Sequence, residues 1–180
     1  MQVIQTNLSG LIVIQPKVFE DARGYFFESY NRDVFRKHGI VDEFVQDNES
    51  LSQKGVLRGL HFQNPPHAQA KLVRVITGAV LDVVVDIRKK SLTYGKHFSE
   101  ELSAKNKKMM YVPVGFAHGF FVLESNTIFS YKCSGAYNKA AEEGILWCDE
   151  ELGINWGIKN PILSEKDKLA QRFKDFESKF

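Results

Sequence analysis

Short hydrophobic or alternating runs recur along most of the chain, separated by Gly, Pro, Asn or Asp. Their lengths and their content of β-branched residues are typical of strands. Many short strands with little helix between them predict an all-β protein, either a sandwich or a closed barrel. The predicted strands cover residues 11–18, 25–30, 43–47, 56–63, 71–77, 79–87, 97–103, 109–114, 116–123 and 127–133.

Two further segments carry helix signals. The first begins with Asn31, a favoured N-cap residue, and ends at Gly39, a favoured residue just beyond a helix. The second, residues 164–179, starts Ser-Glu-Lys-Asp, which resembles a capping box, and is rich in helix formers. Helical spacing there would lay one hydrophobic stripe across the barrel, formed by Leu169, Phe173 and Phe176.

The composition is that of an ordinary globular protein. The chain has 180 residues, which suits one domain covering residues 1–180. Its formal net charge of +2 gives no general reason to expect nucleic acid or a membrane as a partner, so we expect neither. Any anionic ligand must therefore be held by local positive charge.

The cysteines and the start of the chain bear on the compartment. Cys133 and Cys148 form no C-x-x-C pair, so no zinc site is expected. The start MQVIQTNLSG lacks a basic segment followed by an apolar one, and no apolar run is long enough to cross a bilayer. We therefore expect a cytoplasmic protein with two free thiols.

Two stretches resemble the paired motifs of cupin barrels. The first cupin motif combines a Gly, a His-x-His pair, a Glu and a second Gly at set spacing. The second motif, Pro-x-Gly-x-x-His, matches residues 113–118. In this chain the first frame is occupied by Gly55, His61, Gln63, Lys71 and Gly78.

The departures from the cupin motif concern its metal ligands. A metal-binding cupin needs a second His and a Glu where this chain has Gln63 and Lys71. A protonated lysine has no lone pair for a metal, and it repels a cation. Lys71 alternates with Val73 and Val75, which would aim it into an aliphatic cavity. We therefore predict a cupin-type jelly-roll barrel with a few short peripheral helices and an acid/base site that uses no metal or other cofactor.

Strict alternation also divides residues 56–63 between two faces. It would place Leu57, Gly59, His61 and Gln63 on one face and Arg58 on the other. A bend at Gly59 would bring Arg58 to the face of His61.

The whole chain resembles the dTDP-4-dehydrorhamnose 3,5-epimerase family. The matching strings occur in family order and span nearly all of the sequence, so together they are far more specific than any one of them. They are Phe19-x-Asp21-x-Arg23-Gly24-x-Phe26, Phe27-Glu28-Ser29-Tyr30, Gln46-Asp47-Asn48, Arg58-Gly59-Leu60-His61-Phe62-Gln63, Lys71-Leu72-Val73-Arg74, Val85-Asp86-Ile87-Arg88, Pro113-x-Gly115-Phe116-Ala117-His118-Gly119-Phe120, Tyr131-Lys132-Cys133, Gly144-Ile145-Leu146-Trp147 and Ser164-x-Lys166-Asp167.

The resemblance implies an acid/base mechanism on a 4-keto-6-deoxyhexose carried by a nucleoside diphosphate. Carbons 3 and 5 flank the ketone, which acidifies their C–H bonds. By resemblance His61 is the base and Asp167 holds its other ring nitrogen. Tyr131 then delivers a proton from the opposite face, and Lys71 stabilises the enolate oxygen. Taken singly, each of these residues is more often structural; their occurrence together in one ordered pattern favours catalysis.

The resemblance also implies a binding site and a quaternary structure. Arg and Lys side chains would meet the diphosphate, and Tyr137 would stack on thymine. Family members pair as homodimers, with N-terminal strands added to the partner's sheet. The implied substrate-binding residues are Arg23, Glu28, Gln46, Asp47, Asn48, Arg58, His118, Tyr137, Glu142 and Lys166.

The expected reaction converts dTDP-4-dehydro-6-deoxy-D-glucose to dTDP-4-dehydro-L-rhamnose. Three alternatives stay open at this point. One is an epimerase of the same family that acts at carbon 3 or carbon 5 alone. The others are a non-catalytic cupin that binds a nucleotide sugar or small acid, and a metal-dependent cupin oxygenase or isomerase.

Overall fold

The computed structural model describes residues 1–180. Besides its strands it has two short α-helices, α1 (Arg32–Lys37) and α2 (Glu165–Lys168), and a 3-10 turn at Phe173–Asp175. The strands, β1 to β13 in chain order, are Gln2–Gln5, Ile12–Gln15, Phe19–Asp21, Gly24–Phe26, Gln46–Ser52, Leu57–Gln63, Lys71–Thr77, Ala79–Asp86, His97–Ser103, Met109–Val112, Phe116–Val122, Thr127–Cys133 and Glu142–Gly144.

Two antiparallel sheets form the body of the molecule. The six-stranded sheet has the order β1-β2-β10-β7-β12-β5, and the five-stranded sheet has the order β13-β6-β11-β8-β9. Strands β3 and β4 form a separate hairpin. The predicted all-β jelly roll is therefore confirmed. No helix in the protein is long and apolar enough to span a membrane.

The core is layered because both sheets bury hydrophobic side chains on two faces. Between the sheets lies a cluster that includes Val73, Val84 and Phe129. The outer face of the six-stranded sheet is covered by α1 and the residues after it, including Phe35 and Ile40. On the outer face of the five-stranded sheet, C-terminal residues such as Trp156 and Phe176 pack against Leu60, Phe62 and Ile87. Each fully buried side chain of this size contributes about 1.5–3 kcal/mol.

The two helix predictions have opposite outcomes. The side chain of Asn31 accepts hydrogen bonds from the backbone N–H groups of Asp33 and Val34, as an N-cap does, so α1 is confirmed. The prediction of a helix over residues 164–179 is wrong after its first turn, because α2 ends at Lys168. Beyond Lys168, the Gln171 carbonyl accepts a hydrogen bond from the Leu146 N–H. This contact with a distant segment takes the place of the hydrogen bonds that a continued helix would make.

The predicted hydrophobic stripe fails for the same reason. Leu169 is 83% exposed, whereas Phe176 is 7% exposed and packs edge-on against Phe62 with ring centroids 5.3 Å apart. Once the tail pairs with the body, the periodicity of a helix no longer decides which side chains are buried. The segment has a high helix propensity, but it is stabilised more by burial of Phe176 and by its backbone hydrogen bond to Leu146.

Strand boundaries differ mainly at the edges of the sheets. Predicted run 25–30 is strand only up to Phe26, and predicted run 43–47 begins as strand at Gln46 and continues to Ser52. Strands β1, β3 and β13 were not predicted. These segments are polar or short, so their membership of a sheet depends on a partner strand and not on their own periodicity.

Candidate active site

A cavity of about 500 Å³ opens between the two sheets. A second opening of about 310 Å³ shares His61, Lys71 and Tyr131 with it, so these three side chains lie where the two spaces meet. The first cavity is also lined by the segment that leads into α2, including Ser164, Lys166 and Asp167.

A β-bulge in β6 brings Arg58 to the same cavity as His61. His61 faces His118 of β11 and Arg58 faces Phe120, so three residue steps on β6 match two on β11. The extra residue reverses the alternation. Leu57 packs with Leu60 and Phe62 in the outer cluster, so the expectation that it shares the face of His61 is wrong.

Glycine is required at the bulge. Gly59 has φ +131°, and a Cβ there would lie 2.5 Å from the Cα of Gly119. A Cβ on Gly119 would in turn lie 2.8 Å from the carbonyl oxygen of Arg58. The strands approach too closely for a side chain at either position.

His61 and Asp167 form a close pair. The Nε2 of His61 lies 2.5 Å from Oδ1 of Asp167, and Oδ2 of Asp167 accepts from the hydroxyl of Ser164 at 2.8 Å. Burial alone would raise the pKa of Asp167, but the hydrogen bonds from His61 and Ser164 outweigh it and lower that pKa. Asp167 therefore stays ionised at neutral pH, so His61 Nε2 carries the proton and Nδ1 is the ring nitrogen without a protein partner.

Lys71 begins β7 and points into the cavity, as its alternation with the valines predicted. Burial lowers the pKa of its ammonium group, and the neighbouring Cys133 and Asp82 offset this only in part. A lowered pKa makes each N–H a stronger hydrogen-bond donor. Lys71 is thus suited to stabilise an oxygen that gains negative charge.

Tyr131 lies on β12, in register with Asn48 on β5. Burial raises the pKa of its phenol above the ordinary value, and Cys133 acts in the same direction. The hydroxyl is therefore protonated at neutral pH, as a proton donor must be.

Asp82 is a buried partner of the cavity residue His118 that sequence reasoning missed. It is fully buried on β8, and both of its carboxylate oxygens lie 2.9 Å from Nε2 of His118. Burial raises its pKa, against the lowering effect of His118. The signal available in the sequence was an Asp in the middle of the apolar run 79–85.

Seven of the ten predicted binding residues line the two openings, and His118 is one of them. Arg58 and Lys166 line the first cavity. Lys166 Nζ lies 2.5 Å from Glu142 Oε1, and the Tyr137 hydroxyl donates to Glu142 at 2.9 Å. The second opening is lined by Gln46, Asn48, Tyr137 and Glu142.

The other three do not reach the cavity within one chain. The side chain of Arg23 is 90% exposed and pairs with Asp21 in the β3–β4 hairpin. Glu28 is exposed and accepts a hydrogen bond from Asn31. Asp47 points outward by strand alternation and pairs with Lys132 at 2.9 Å, so its assignment as a substrate contact has no support within one chain.

The residues at the cupin ligand positions do not fit a metal. The Gln63 amide donates to the carbonyls of His67 and Ala136, and its oxygen accepts from the Asn138 N–H at 2.7 Å. Gln63 is therefore engaged in holding the loop after β12. Moreover, no three His, Cys, Asp or Glu side chains are grouped so as to hold a metal ion.

Fold and site together define a class: a cupin-type barrel with groups for general acid–base proton transfer in its cavity. The family model described as dTDP-4-dehydrorhamnose 3,5-epimerase matches residues 5–175. The chain belongs to this dTDP-4-dehydrorhamnose 3,5-epimerase family.

Individual relatives agree over nearly the full length. The dTDP-4-dehydrorhamnose 3,5-epimerase of Shigella flexneri is 52% identical over 97% of both chains. The crystal structure of the Elizabethkingia anophelis NUHP1 enzyme of that name is 52% identical, with a TM-score of 0.93 over 97% of both chains. The Legionella pneumophila Philadelphia 1 epimerase, solved in complex with dTDP-4-keto-L-rhamnose, is 43% identical, with a TM-score of 0.94 over 98% of this chain and 94% of that one.

Proposed function

We propose that this protein epimerises carbons 3 and 5 of dTDP-4-dehydro-6-deoxy-D-glucose and releases dTDP-4-dehydro-L-rhamnose. The observation that carries the proposal is one cavity lined by His61, Lys71, Tyr131 and Asp167. Family membership supports the substrate, since the Legionella relative binds dTDP-4-keto-L-rhamnose.

The proposed chemistry at each carbon is a proton exchange through an enolate. His61 removes the proton beside the ketone, and the C–H electrons move into a C=C bond as the carbonyl oxygen becomes negative. Lys71 donates to that oxygen, and ionised Asp167 stabilises the imidazolium. Tyr131 then protonates the carbon from the opposite face. Its phenolate regains a proton from solvent and the imidazolium of His61 releases one to solvent, which restores both groups for the second carbon. Each positioned proton transfer typically contributes about 10²–10⁴-fold.

Arg58 and Lys166 are proposed to hold the diphosphate, and Tyr137 the thymine. Arg58 has two guanidinium nitrogens 3.2 Å from the Ser52 hydroxyl, which fixes the plane of the group at the cavity mouth. Tyr137 is half exposed at the second opening, where its ring offers a face for stacking.

Replacing Arg58 tests the diphosphate contact. Hydrogen bonds to charged groups contribute about 1.5–3 kcal/mol. We therefore expect Arg58→Ala to raise KM by roughly 10- to 150-fold, with a smaller change in kcat. Steady-state kinetics measure both constants, and Arg36→Ala on the surface helix α1 is the matched control. An unchanged KM in Arg58→Ala would remove Arg58 from the site.

We further propose a homodimer, with the β3–β4 hairpin at the interface. The hairpin exposes the aromatic side chains of Phe19, Tyr25 and Phe26. Clustered exposed apolar side chains of this kind mark interaction surfaces. Pairing is also a route by which Arg23 and Glu28 of one chain could approach the cavity of the partner. Light scattering should give about twice the chain mass of 20.6 kDa; a mass equal to one chain would contradict the proposal.

We also propose that residues 1–180 form one catalytic domain. Its product would supply rhamnose for surface polysaccharide. A cytoplasmic location is consistent with Cys133 and Cys148 as free thiols, which a reducing compartment preserves.

The decisive experiment incubates the protein with dTDP-4-dehydro-6-deoxyglucose in D₂O and locates deuterium by NMR. We expect deuterium at carbons 3 and 5, inversion at both, and the same rates after dialysis against EDTA. Deuterium at one carbon only indicates a single-site epimerase, and none indicates a binder. Loss of turnover with EDTA that returns with metal would overturn the metal-independent mechanism.

A further inference from the structure

Ser50 places a buried hydroxyl at the catalytic cavity without a partner in the protein. The residue lies on β5 opposite Phe129 of β12, and it lines the same cavity as His61 and Tyr131. Its Oγ exposes less than 1 Å² and makes no hydrogen bond. Buried polar atoms are almost always paired, and leaving one unpaired costs about 1–3 kcal/mol. The free protein therefore keeps an unfavourable feature at the site.

The other serines around the cavity are already engaged. The Ser52 hydroxyl, two residues further along the inward face of β5, accepts from Arg58. The Ser164 hydroxyl donates to Asp167. The other buried atom without a partner is Asn64 Oδ1, which lies outside the cavity lining on a residue whose amide nitrogen donates to Glu143. Ser50 is thus the one unengaged serine hydroxyl among the cavity residues.

The surroundings of Ser50 indicate which part of the substrate it meets. Its register neighbour Phe129 is fully buried and stacks on Phe120 with centroids 4.2 Å apart. Of the cations that line the cavity with Ser50, Lys71 is assigned to the enolate oxygen. The two that remain for a diphosphate are Arg58, which is exposed, and Lys166, whose side chain is 51% exposed. A diphosphate is costly to bury away from cations. A hexose has apolar C–H faces for the aromatic rings and neutral hydroxyls for a serine.

We infer that the Ser50 hydroxyl is a substrate contact that hydrogen-bonds a hydroxyl of the hexose and becomes paired only when the sugar nucleotide is bound. The inference rests on the proposed function for the identity of the sugar. The contact would fix the ring between His61 and Tyr131, the two groups that must reach its opposite faces.

The test is Ser50→Ala in the full chain. A neutral hydrogen bond contributes about 0.5–1.5 kcal/mol, so kcat/KM should fall roughly 2- to 13-fold. Inhibition by dTDP, which carries the diphosphate but no hexose, should be unchanged. The midpoint of thermal unfolding of the free protein should not fall, because the lost hydroxyl had no partner there. Ser130→Ala, on the outward face of neighbouring strand β12, is the matched control and should leave all three quantities unchanged.

Three results would overturn the inference: an unchanged kcat/KM, an equal loss of dTDP affinity, or a less stable free protein. Calorimetric titration with dTDP-glucose and with dTDP measures the affinity for each ligand in the absence of turnover. Ser50→Ala should weaken binding of dTDP-glucose alone, and equal affinities in variant and wild type would again reject the contact. A wild-type protein without turnover would instead count against the proposed function, so the two failures are distinguishable.

Discussion

His61→Ala should lose deuterium exchange at both carbon 3 and carbon 5. The imidazole keeps Nδ1 without a protein partner, and its Nε2 lies beside the carboxylate of Asp167. Without the imidazole, the proposed base is missing from its place next to Asp167. We therefore expect deuterium exchange at each carbon to fall by about 10²–10⁴-fold. NMR in D₂O measures both positions in one sample.

The control for this variant is its affinity for dTDP. Truncation of His61 leaves the buried carboxylate of Asp167 with Ser164 as its remaining side-chain partner, so some loss of stability is expected. Unchanged binding of dTDP shows that the variant is folded. His97→Ala on β9, away from the cavity, should exchange like the wild type. Exchange at both carbons near the wild-type rate in His61→Ala would contradict its assignment as the base.

Tyr131→Phe should separate proton removal from inversion. The change deletes one hydroxyl that bonds to no other protein group, so the fold should be almost unaffected. His61 continues to remove the proton, and the enolate is mostly reprotonated by His61 on its original face. We therefore expect deuterium to enter carbon 3 or 5 with net inversion reduced by about 10²–10⁴-fold.

This outcome differs from those of the alternative proteins. A binder would take up no deuterium, and an enzyme that used His61 as its only acid and base would continue to invert. Tyr94→Phe, outside the cavity, is the matched control and should epimerise normally. Full epimerisation by Tyr131→Phe would show that another residue or a water molecule is the acid.

Local patterning predicted the body of the barrel well because its strands bury at least one face. The predicted runs 71–77, 97–103 and 127–133 coincide with β7, β9 and β12. Alternation and β-branched content are strong where a strand must bury one face, and they fix its side-chain orientation as well. The same reasoning aimed Lys71 into the cavity, where the structure places it.

The residues proposed for catalysis were found by type and order, but their meeting depends on tertiary contacts. His61 and Asp167 are separated by 106 positions, and only the docking of α2 beside β6 brings them to 2.5 Å. Asp82 belongs to no sequence motif, and its connection to the cavity is visible only in the structure, where it pairs with His118 inside the barrel.

By itself the sequence determined the all-β class, most central strands, the N-cap at Asn31 and the family. Those features depend on local periodicity, on side-chain chemistry and on ordered motifs, which are readable along the chain. Tertiary structure alone decided that the bulge at Gly59 turns Arg58 toward His61, that the tail leaves its helix after Lys168, and that Asp47 faces outward. In each case the deciding interaction joins residues distant in sequence: close packing against Gly119, a backbone bond between Leu146 and Gln171, and the pairing of β5 with β12.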